Sequence, residues 1–575
     1  MSGALLASVL GGLALLALFR RISTSRPQSP PKSVAIVVLG DIGRSPRMLY
    51  HAESFARHGY TTWIVAHRGS PPSRALSENP HVKFVYLDSP LAWTSNLPRP
   101  VFLLVAPLKI LLGAWGLAFA LMSRIEIAPG YLFVQNPPAI PTLPIVKLVS
   151  LVRGCRVVID WHNTGYSMLS LRLGETHPAV KVAKRVELYF GRAAYAHLTV
   201  TNAMKRLLIR EAQIEGRAET FYDRPPKHFR RLEPQESHEL FQRMPSLRTL
   251  SFDSSSLPTA STAKLSSTLF THSDGSLATD RPALLVTSTS HTPDEDLSIL
   301  VDALSRYDAS ARRVNAALCE GDPRSDRPRS TADEQRFKDE RLPKVVVIVT
   351  GRGQGKAEFE RRVERRFDVE RWEYVRIVTE WLALEDYPKL LGSADLGISL
   401  HSSTSGVDLP MKVVDMYGCD LPALALDFEC IGELVQDGKN GRTFRTVEQL
   451  HDQIIDVLQG FPFSDPSQFP SKLDVLRAGI RDARYGTARD LKSEIHVRGA
   501  RGTGAEDEDE EEEEEEDNAE EEETVGEIID RTVVGEEEAD ARKTRTVERR
   551  RREGGDEGRW TDWESNWDRV VLDLL

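Results

Sequence analysis

The chain has 575 residues, of which 41% are hydrophobic, and this length and composition allow two or three domains with buried cores. Its four cysteines show no paired C-x-x-C spacing, which argues against a zinc site or a disulfide framework and favours a reducing compartment. The net charge of −11 is uneven: residues 506–558 carry 26 acidic and 8 basic residues, so the rest of the chain carries a net charge of +7. A mildly basic folded part favours anionic ligands such as phosphates or a lipid surface, and we expect no nucleic-acid partner.

Residues 1–22 predict a membrane anchor. Gly3 to Phe19 form an uncharged apolar run of 17 residues, at the short end of the range for a spanning helix. A cleaved signal peptide is the alternative, but Arg20 and Arg21 follow the apolar run, whereas the charges of a signal peptide precede it. The positive-inside rule then places these arginines and all that follows in the cytosol.

Residues 34–225 predict a first Rossmann-like domain. Val34–Leu39 is an apolar, β-branched run followed by a glycine-containing turn and an amphipathic pattern, which is the order strand, turn, helix. Polar residues that follow the strands of such a sheet lie at its ligand crevice, although plain loop hydrogen bonding is the alternative for each. The candidates are Asp41, Gly43 and Arg44 after the first strand and Asp160, His162 and Asn163 after a later one.

The apolar segment 98–122 admits three interpretations. Between residues 108 and 122 its only charge is Lys109. The segment can be a buried core helix, a helix lying in the membrane face, or a second span. A second span is the least favoured, because it would separate the two halves of the protein across the bilayer.

Residues 283–495 predict a second β/α domain, after a stretch (233–282) that is rich in Ser, Thr, Pro and charge and predicts an irregular insertion. The valine-rich strand that ends at Thr350 is followed by G-R-G-Q-G-K, which offers backbone N–H groups and positive charge to a diphosphate. Its spacing is not that of a P-loop. The candidate phosphate contacts are Gly351, Arg352 and Gly353.

The stretch 395–444 reads as strand, Ser/Gly-rich loop, helix, short strand, loop and helix. The loop supplies hydroxyl and N–H groups at the carboxyl end of a buried parallel strand, where open α/β sheets bind ligands. A cation and a carboxylate on one face of the next helix suit a ligand with phosphates and a sugar hydroxyl. We therefore predict a nucleotide-sugar site with the candidates Ser402, Ser403, Ser405, Asp408, Lys412, Asp415 and Glu433.

Acidic residues elsewhere predict no metal site. Asp294, Glu295 and Asp296 match a D-x-D pattern, but acidic residues are expected in the first turn of a helix. We therefore expect neither a metal nor another cofactor.

The end of the chain predicts a disordered insertion and then a docked helix. Residues 506–517 are twelve consecutive acidic residues, and their mutual repulsion predicts disorder over 496–558. Residues 559–575 predict an amphipathic helix that packs on the body, because apolar side chains recur at helical spacing. The stripe consists of Trp560, Trp563, Trp567, Val570, Val571 and Leu574.

Seven runs in both halves resemble, in order, the chitobiosyldiphosphodolichol β-mannosyltransferase family. The runs are V-L-G-D-I-G-R-S-P-R-M, F-V-Q-N-P-P-A-I-P-T-L, I-D-W-H-N-T-G-Y-S, S-T-S-H-T-P-D-E-D-L-S-I-L, I-V-T-G-R-G, S-L-H-S-S-T-S-G-V-D-L-P-M-K-V-V-D-M and G-E-L-V-Q-D-G-K-N-G-R-T-F. The resemblance covers nearly all of 34–225 and 283–495 and the end of the chain. It implies the α/β GT-B fold, with two Rossmann-like domains facing a cleft and one N-terminal transmembrane helix.

The resemblance implies an inverting transfer of mannose from GDP-mannose to the 4-hydroxyl of the distal GlcNAc of GlcNAc2-diphospho-dolichol. This is the first mannosylation of the lipid-linked precursor for N-glycosylation, on the cytosolic side of the endoplasmic reticulum membrane. Inversion needs a general base, for which Asp160, His162 and Asp41 are the open candidates. The glycine loop and Lys412 can stabilise the leaving GDP, and we expect Asp408 to contact the sugar and Asp415 the ribose.

Two other functions stay open. A different membrane-bound, lipid-linked glycosyltransferase that uses a UDP-sugar would keep every feature above. A non-catalytic scaffold subunit of the same pathway is the other class, although the central loop looks intact. The anchor or the acidic segment can also serve contacts with other mannosyltransferases of the dolichol pathway.

Overall fold

The structure is a computed structural model that describes residues 32–88, 94, 99–248, 250–252, 267–292, 295–319, 331–383, 385–403, 405–462, 470–485 and 562–575. The predicted N-terminal anchor and the acidic insertion from residue 496 lie outside these residues, as does Trp560.

The first domain contains a parallel sheet of seven strands within the described residues, in the order β3-β2-β1-β4-β5-β6-β7. Its strands are β1 (Ser33–Asp41), β2 (Thr61–His67), β3 (Val82–Leu87), β4 (Tyr131–Asn136), β5 (Arg156–Trp161), β6 (Ala193–Thr199) and β7 (Glu215–Thr220). Its helices are α1 (Pro46–Arg57), α2 (Arg74–Ser77), α3 (Arg99–Phe119), α4 (Thr142–Arg153), α5 (Gly165–Leu173), α6 (Pro178–Arg192) and α7 (Asn202–Ala212).

The second domain contains a parallel sheet of six strands within the described residues, in the order β10-β9-β8-β11-β12-β13. Its strands are β8 (Ala283–Ser288), β9 (Val345–Thr350), β10 (Val375–Glu380), β11 (Leu396–Ser399), β12 (Ala423–Leu426) and β13 (Gly441–Phe444). The accompanying helices are α8 (Pro234–Arg243), α9 (Pro245–Arg248), α10 (Leu297–Cys319), α11 (Thr331–Glu340), α12 (Lys356–Glu370), α13 (Tyr387–Ser393), α14 (Met411–Gly418), α15 (Val447–Leu458) and α16 (Lys472–Tyr485).

Continuous apolar runs explain why the central strands form. Every residue of β9 is buried, and β1 is buried over its first six residues, because helices cover both faces of a parallel sheet. In such sheets the carboxyl ends of all strands open at one edge. The two sheets together form the GT-B arrangement of two Rossmann-like domains.

The prediction of an irregular insertion over 233–282 is wrong for its first part. Pro234–Arg243 is a helix that begins with a capping box. The Glu233 side chain accepts a hydrogen bond from the backbone N–H of Glu236, and the Glu236 side chain accepts one from the backbone N–H of Glu233. Leu240 and Phe241 are buried, and the helix packs against α13 of the second domain. The E-P-Q-E pattern at its start was a readable signal of this helix.

The last helix, α17 (Trp563–Trp567), continues as a π-helical turn to Leu572 and packs on the first domain. Trp567, Val571 and Leu574 are fully buried against the core that contains Met48 and Phe55. The Tyr131 hydroxyl also donates a hydrogen bond to the carbonyl of the final residue, Leu575. The chain end therefore forms part of the first domain's core, as its apolar stripe predicted.

The apolar helix α3 lies on the surface, so its interpretation as a buried core helix is wrong. Leu111 and Trp115 are 66% and 73% exposed, whereas only one side, at Leu117, is buried. Val105–Arg124, which includes the π-helical turn after α3, is long and apolar enough to cross a membrane by length and composition. The adjacent helix α4 adds exposed Leu148 and Leu151 to the same apolar surface.

Candidate active site

The two domains meet where β11 ends. Val407, in the Ser/Gly-rich loop, is buried within the core cluster of the first domain, and its carbonyl accepts a hydrogen bond of 2.5 Å from Thr201 Oγ1. This contact brings the predicted nucleotide-sugar loop of the second domain to the edge of the first.

Asp160 lies at the end of β5 and is fully buried. Arg47 of α1 grips it with two hydrogen bonds of 2.8 Å, from Nε to Oδ2 and from Nη2 to Oδ1. Arg47 Nη1 also donates to the Phe221 carbonyl and to Asp223 Oδ1, at 2.8 and 2.9 Å. Burial opposes ionisation of Asp160, but the charge of Arg47 outweighs it and holds the pKa of this carboxyl well below its usual range.

His162 is more exposed to solvent than the other side chains of this cluster, Arg47, Asp160 and Asp223. Its Nε2 lies 2.8 Å from Asp160 Oδ2, and its side chain is 23% exposed. Because Asp160 is ionised, Nε2 carries a proton and donates a hydrogen bond to the carboxylate, so Nδ1 is the ring atom that can accept a proton. The pair therefore has the geometry of an oriented base.

Glu187 shapes the loop that follows β5. Its carboxylate accepts hydrogen bonds from the backbone N–H groups of Gly165 and Tyr166, at 2.9 and 3.0 Å, at the start of α5. Asn136 Nδ2 donates to the same group at 2.7 Å. The side-chain oxygen of Asn163 accepts from the next backbone N–H, so this residue also holds the turn. A buried carboxylate at a helix start thus fixes the position of His162's loop.

Asp41 organises the turn after β1. Its carboxylate accepts the N–H of Gly43 at 3.0 Å and both the N–H and the hydroxyl of Ser70 at 2.9 Å, and these bonds lower its pKa. A Cβ on Gly43 would lie 2.4 Å from the Ser70 carbonyl oxygen, so glycine is needed for this close approach. Arg44 is exposed and lies 3.5 Å from Asp41.

The glycine-rich loop after β9 packs directly on the loop after β8. A Cβ on Gly351 would lie 1.7 Å from the Thr289 carbonyl oxygen, and one on Gly353 would lie 2.0 Å from that of Ser290. Gly351 also has a φ of +141°, which favours glycine. Arg352 is exposed, with its guanidinium 4.1 Å from the centroid of the Trp381 ring. The glycines thus join two loops at the cleft, and the exposed guanidinium, stacked on Trp381, is accessible to an anion.

Lys412, on the first turn of α14, forms an ion pair with Glu295. Glu295 also accepts hydrogen bonds from Thr289 Oγ1 at 2.5 Å and from the Ser290 N–H at 2.8 Å. Burial opposes its ionisation, but these donors and Lys412 lower its pKa. Glu295 of the D-E-D sequence therefore holds the cation at the cleft, and Asp294 lies outside the described residues.

Asp408 folds the serine loop. Its Oδ1 atom accepts hydrogen bonds from the hydroxyls of Ser403 and Ser405, the latter at 2.9 Å. Ser402 is half-buried in the same loop. The Asp408 carboxylate therefore lies beside two of the serine hydroxyls that we predicted to belong to the same site.

Glu433 lies across the domain boundary. Its two oxygens accept the backbone N–H groups of Asn202 and Ala203, both at 2.7 Å, at the start of helix α7 in the first domain. The Tyr222 hydroxyl donates to it at 2.9 Å. This carboxylate, a predicted donor contact, caps a helix of the opposite domain in the structure.

Asp415 is the candidate with the most perturbed ionisation. Burial and the nearby charge of Asp223 raise the pKa of its carboxyl to about 8. At neutral pH the group is therefore largely protonated and can both donate and accept a hydrogen bond. Such a group suits a sugar hydroxyl, which does the same.

Residues 332–460 match the profile of the family described as glycosyl transferases group 1. Over most of its length the chain is also similar to curated proteins. It is 39% identical to the UDP-glycosyltransferase TURAN of Arabidopsis thaliana, over 77% of this chain and 92% of that protein. It is 38% identical to the human chitobiosyldiphosphodolichol β-mannosyltransferase, over 79% of this chain and 89% of that protein, and 37% identical to the Dictyostelium discoideum enzyme of the same name, over 75% and 84%.

The chain belongs to the chitobiosyldiphosphodolichol β-mannosyltransferase family.

Four buried residues at the candidate site of this mannosyltransferase-family protein were not predicted from the sequence. Arg47, His51 and Glu187 belong to helices, where an amphipathic pattern gives no sign of a partner on another element. Glu295 looked like an ordinary acidic residue at a helix start. Each acts by meeting a partner that is distant in sequence, and only the fold brings them together.

Asp415 predicts a pH-dependent stability. Its folded-state pKa of about 8 exceeds its ordinary 3.8, so its stabilising contribution is present at low pH and is lost as the pH rises through 8. Between pH 7 and 9 the wild type should lose about 1 kcal/mol of stability relative to Asp415→Asn, because the protonated fraction averages one half over this range. Thermal unfolding in detergent at the two pH values measures this difference. Parallel changes in both proteins would contradict the assignment.

Proposed function

We propose that this protein is an inverting glycosyltransferase that moves mannose from GDP-mannose, in β-1,4 linkage, to GlcNAc2-diphospho-dolichol. The observation that carries the proposal is the 38% identity to the human enzyme of that name over 79% of the chain. The cleft supports it, because cations and hydroxyls lie on one side and a histidine oriented by Asp160 lies on the other.

The second domain supplies the donor half of the proposed site. The N–H groups of the loop around Gly351 and Gly353, together with Lys412 and Arg352, suit the diphosphate of GDP-mannose. Asp408 and the hydroxyls beside it suit the sugar, and Asp415 suits the ribose. Charge that develops on the departing GDP is stabilised by these fixed donors, which needs no metal.

The first domain supplies the base. Asp160 is sealed from the cleft by Arg47, and Asp41 is engaged by its own turn, so His162 is the base that we propose. Its Nδ1 atom takes the proton of the acceptor 4-hydroxyl while that oxygen attacks the anomeric carbon. The bond from this carbon to the β-phosphate oxygen breaks on the opposite face, and the electron pair leaves with GDP. Attack opposite the leaving group inverts the configuration.

A cationic cavity at the same sheet edge suits the diphosphate of the acceptor. It has a volume of about 490 Å³ and lies at the ends of β2 and β3. Three interstrand spacings separate β2 from β5, about 14 Å, which is on the scale of a disaccharide between this cavity and His162. The cavity is lined by His67, Arg68, Tyr86, Leu87, Asp88 and Arg124.

The exposed apolar face of α3 and α4 supports docking on a bilayer. Arg124 ends this apolar surface and also lines the cationic cavity, so a lipid lying along the surface would present its diphosphate there. We propose that the predicted single-pass anchor at residues 1–22 holds the protein at the endoplasmic reticulum membrane, with both domains in the cytosol.

A UDP-sugar donor is the second candidate, because the similar Arabidopsis protein is named a UDP-glycosyltransferase. The phosphate contacts proposed here would serve GDP and UDP equally. The two candidates differ at the base of the nucleotide, which the donor assay below distinguishes.

Product analysis tests the proposed reaction. Purified full-length protein with GDP-mannose and a chitobiosyl-diphospho-lipid should yield a lipid-linked trisaccharide that a β-mannosidase cleaves. Equimolar UDP-sugars should neither be consumed nor compete. Transfer from a UDP-sugar, or no transfer from any nucleotide sugar, would contradict the proposal.

Lys412→Ala should lower kcat by about a hundredfold, because it removes a cation that meets the charge developing on GDP. Lys389→Ala, on helix α13 of the same domain, provides a matched control because Lys389 pairs with Asp386 at the start of its own helix. The measurement is the transfer rate of each variant at saturating GDP-mannose. Thermal unfolding of each variant shows whether it is folded. A nearly normal rate for Lys412→Ala would refute its role.

Arg68→Ala should raise KM for the lipid acceptor about tenfold and leave KM for GDP-mannose unchanged, because the diphosphate loses one charged partner. Arg74→Ala is the control, since Arg74 is exposed on the neighbouring helix α2 and pairs with Glu78. Initial rates over a range of both substrates separate the two constants. An equal effect on both KM values would contradict an acceptor site in this cavity.

A further inference from the structure

We propose that the C-terminal helix α17 positions the catalytic base, His162, which lies far from it in the sequence. The two are connected by a buried path from Trp567 to His51, Asp160 and His162. This inference rests on the proposed function of His162. It makes Trp567 and His51 positioning residues, which act on the base without touching substrate.

The path begins with the Trp567 indole. Trp567 is fully buried on the first domain, and its Nε1–H donates a hydrogen bond of 2.9 Å to Nδ1 of His51. The indole stacks on the His58 ring and meets the Phe55 ring edge-to-face, with a centroid distance of 5.0 Å in both cases. Packing therefore fixes the direction of the indole N–H, which can donate a hydrogen bond but cannot accept one.

His51 links Trp567 to Asp160. The ring is fully buried on helix α1, and burial lowers its pKa to about 4, so it is neutral at physiological pH. A neutral imidazole carries one proton, and its Nδ1 accepts from Trp567, so the proton resides on Nε2. That Nε2 lies 3.4 Å from Asp160 Oδ2, a close electrostatic contact in which the N–H is not aligned as a hydrogen bond. Trp567 thereby fixes the tautomer in which the Nε2–H of His51, and not a lone pair, lies beside the carboxylate.

Asp160 links His51 to the proposed base, His162. Its Oδ2 atom faces three nitrogens: Nε of Arg47 and Nε2 of His162, both at 2.8 Å, and Nε2 of His51. If His51 held its proton on Nδ1, a lone pair would face the carboxylate and repel it. The oxygen would then shift and loosen its hydrogen bond to His162. Small displacements of a base cost much of its rate, because proton transfer requires hydrogen-bond geometry.

The same helix offers a matched control. Trp563 lies one turn earlier and is also buried, and its Nε1–H donates to Ser54 Oγ at 3.0 Å. The Trp563 ring also packs edge-on against the His51 ring, with centroids 5.1 Å apart, and a phenylalanine can keep this aromatic contact. Replacing either indole by phenylalanine removes one N–H and similar volume from one helix, but only Trp567→Phe removes a hydrogen bond to His51.

The experiment compares these two variants in the full-length enzyme with GDP-mannose and a chitobiosyl-diphospho-lipid. Trp567→Phe should lower kcat about tenfold with unchanged KM for both substrates, because one hydrogen bond to the path is lost. Trp563→Phe should keep the wild-type kcat, with a similar change in thermal stability. Equal effects of the two variants on kcat, or an effect of Trp567→Phe confined to KM, would overturn the inference.

Substitutions at His51 test the path even if Trp567→Phe folds poorly. A glutamine reaches as far as Nε2 and can place an N–H beside Asp160, so His51→Gln should retain most of the kcat. His51→Leu has no donor and should lose about tenfold. Equal rates for these two variants would contradict the assigned proton on Nε2.

A double-variant cycle separates failure of this inference from failure of the proposed function. If His162→Ala retains full kcat, the proposed base is wrong. If His162→Ala is impaired and Trp567→Phe lowers its rate no further, the two act on one path, as we infer. A further tenfold loss in the double variant would show that Trp567 acts independently of His162 and would overturn the inference.

Discussion

The buried ion pair of Arg47 and Asp160 is the interaction on which the rest of the first domain's site depends. Removing one partner of such a pair typically costs about 3–5 kcal/mol, because the other charge stays buried without compensation. Here the pair also joins three elements, since Arg47 bonds the Phe221 carbonyl and Asp223 in the segment that leads to the second domain. The carboxylate that it keeps ionised is the one that orients His162. Stability and the proposed catalysis therefore depend on the same charge.

Cross-domain contacts explain how two separate sheets can present one cleft. Glu433 of the second domain caps the first domain's helix α7, and the neighbouring Thr201 hydroxyl bonds the carbonyl of Val407. The serine loop that we assign to the donor is thus attached to the first domain through Val407, and Glu433, after β12, provides a second attachment. Lys412 depends in turn on Glu295, so the donor cation is also held by a loop after another strand.

Local sequence patterns predicted the elements well and their partners poorly. Continuous apolar runs such as Val345–Thr350 identified the buried strands, and the residues after them identified the cleft, because parallel strands end at one edge. The partner of Asp160 is 113 residues away and that of Glu433 is 231 residues away. No local pattern encodes such pairs. The helix Pro234–Arg243 is different, since its capping box was readable and its polar, serine-rich surroundings concealed it.

The central claim is that His162 accepts the proton of the acceptor hydroxyl in a cleft whose opposite side holds the nucleotide. A structure of the full-length protein with GDP and a chitobiosyl-diphospho-lipid tests it most directly. The account predicts the 4-hydroxyl of the distal GlcNAc within about 3 Å of His162 Nδ1, with the GDP phosphates beside Lys412. A complex in which that hydroxyl pairs with Asp41 or Asp408, with His162 out of reach, would contradict it.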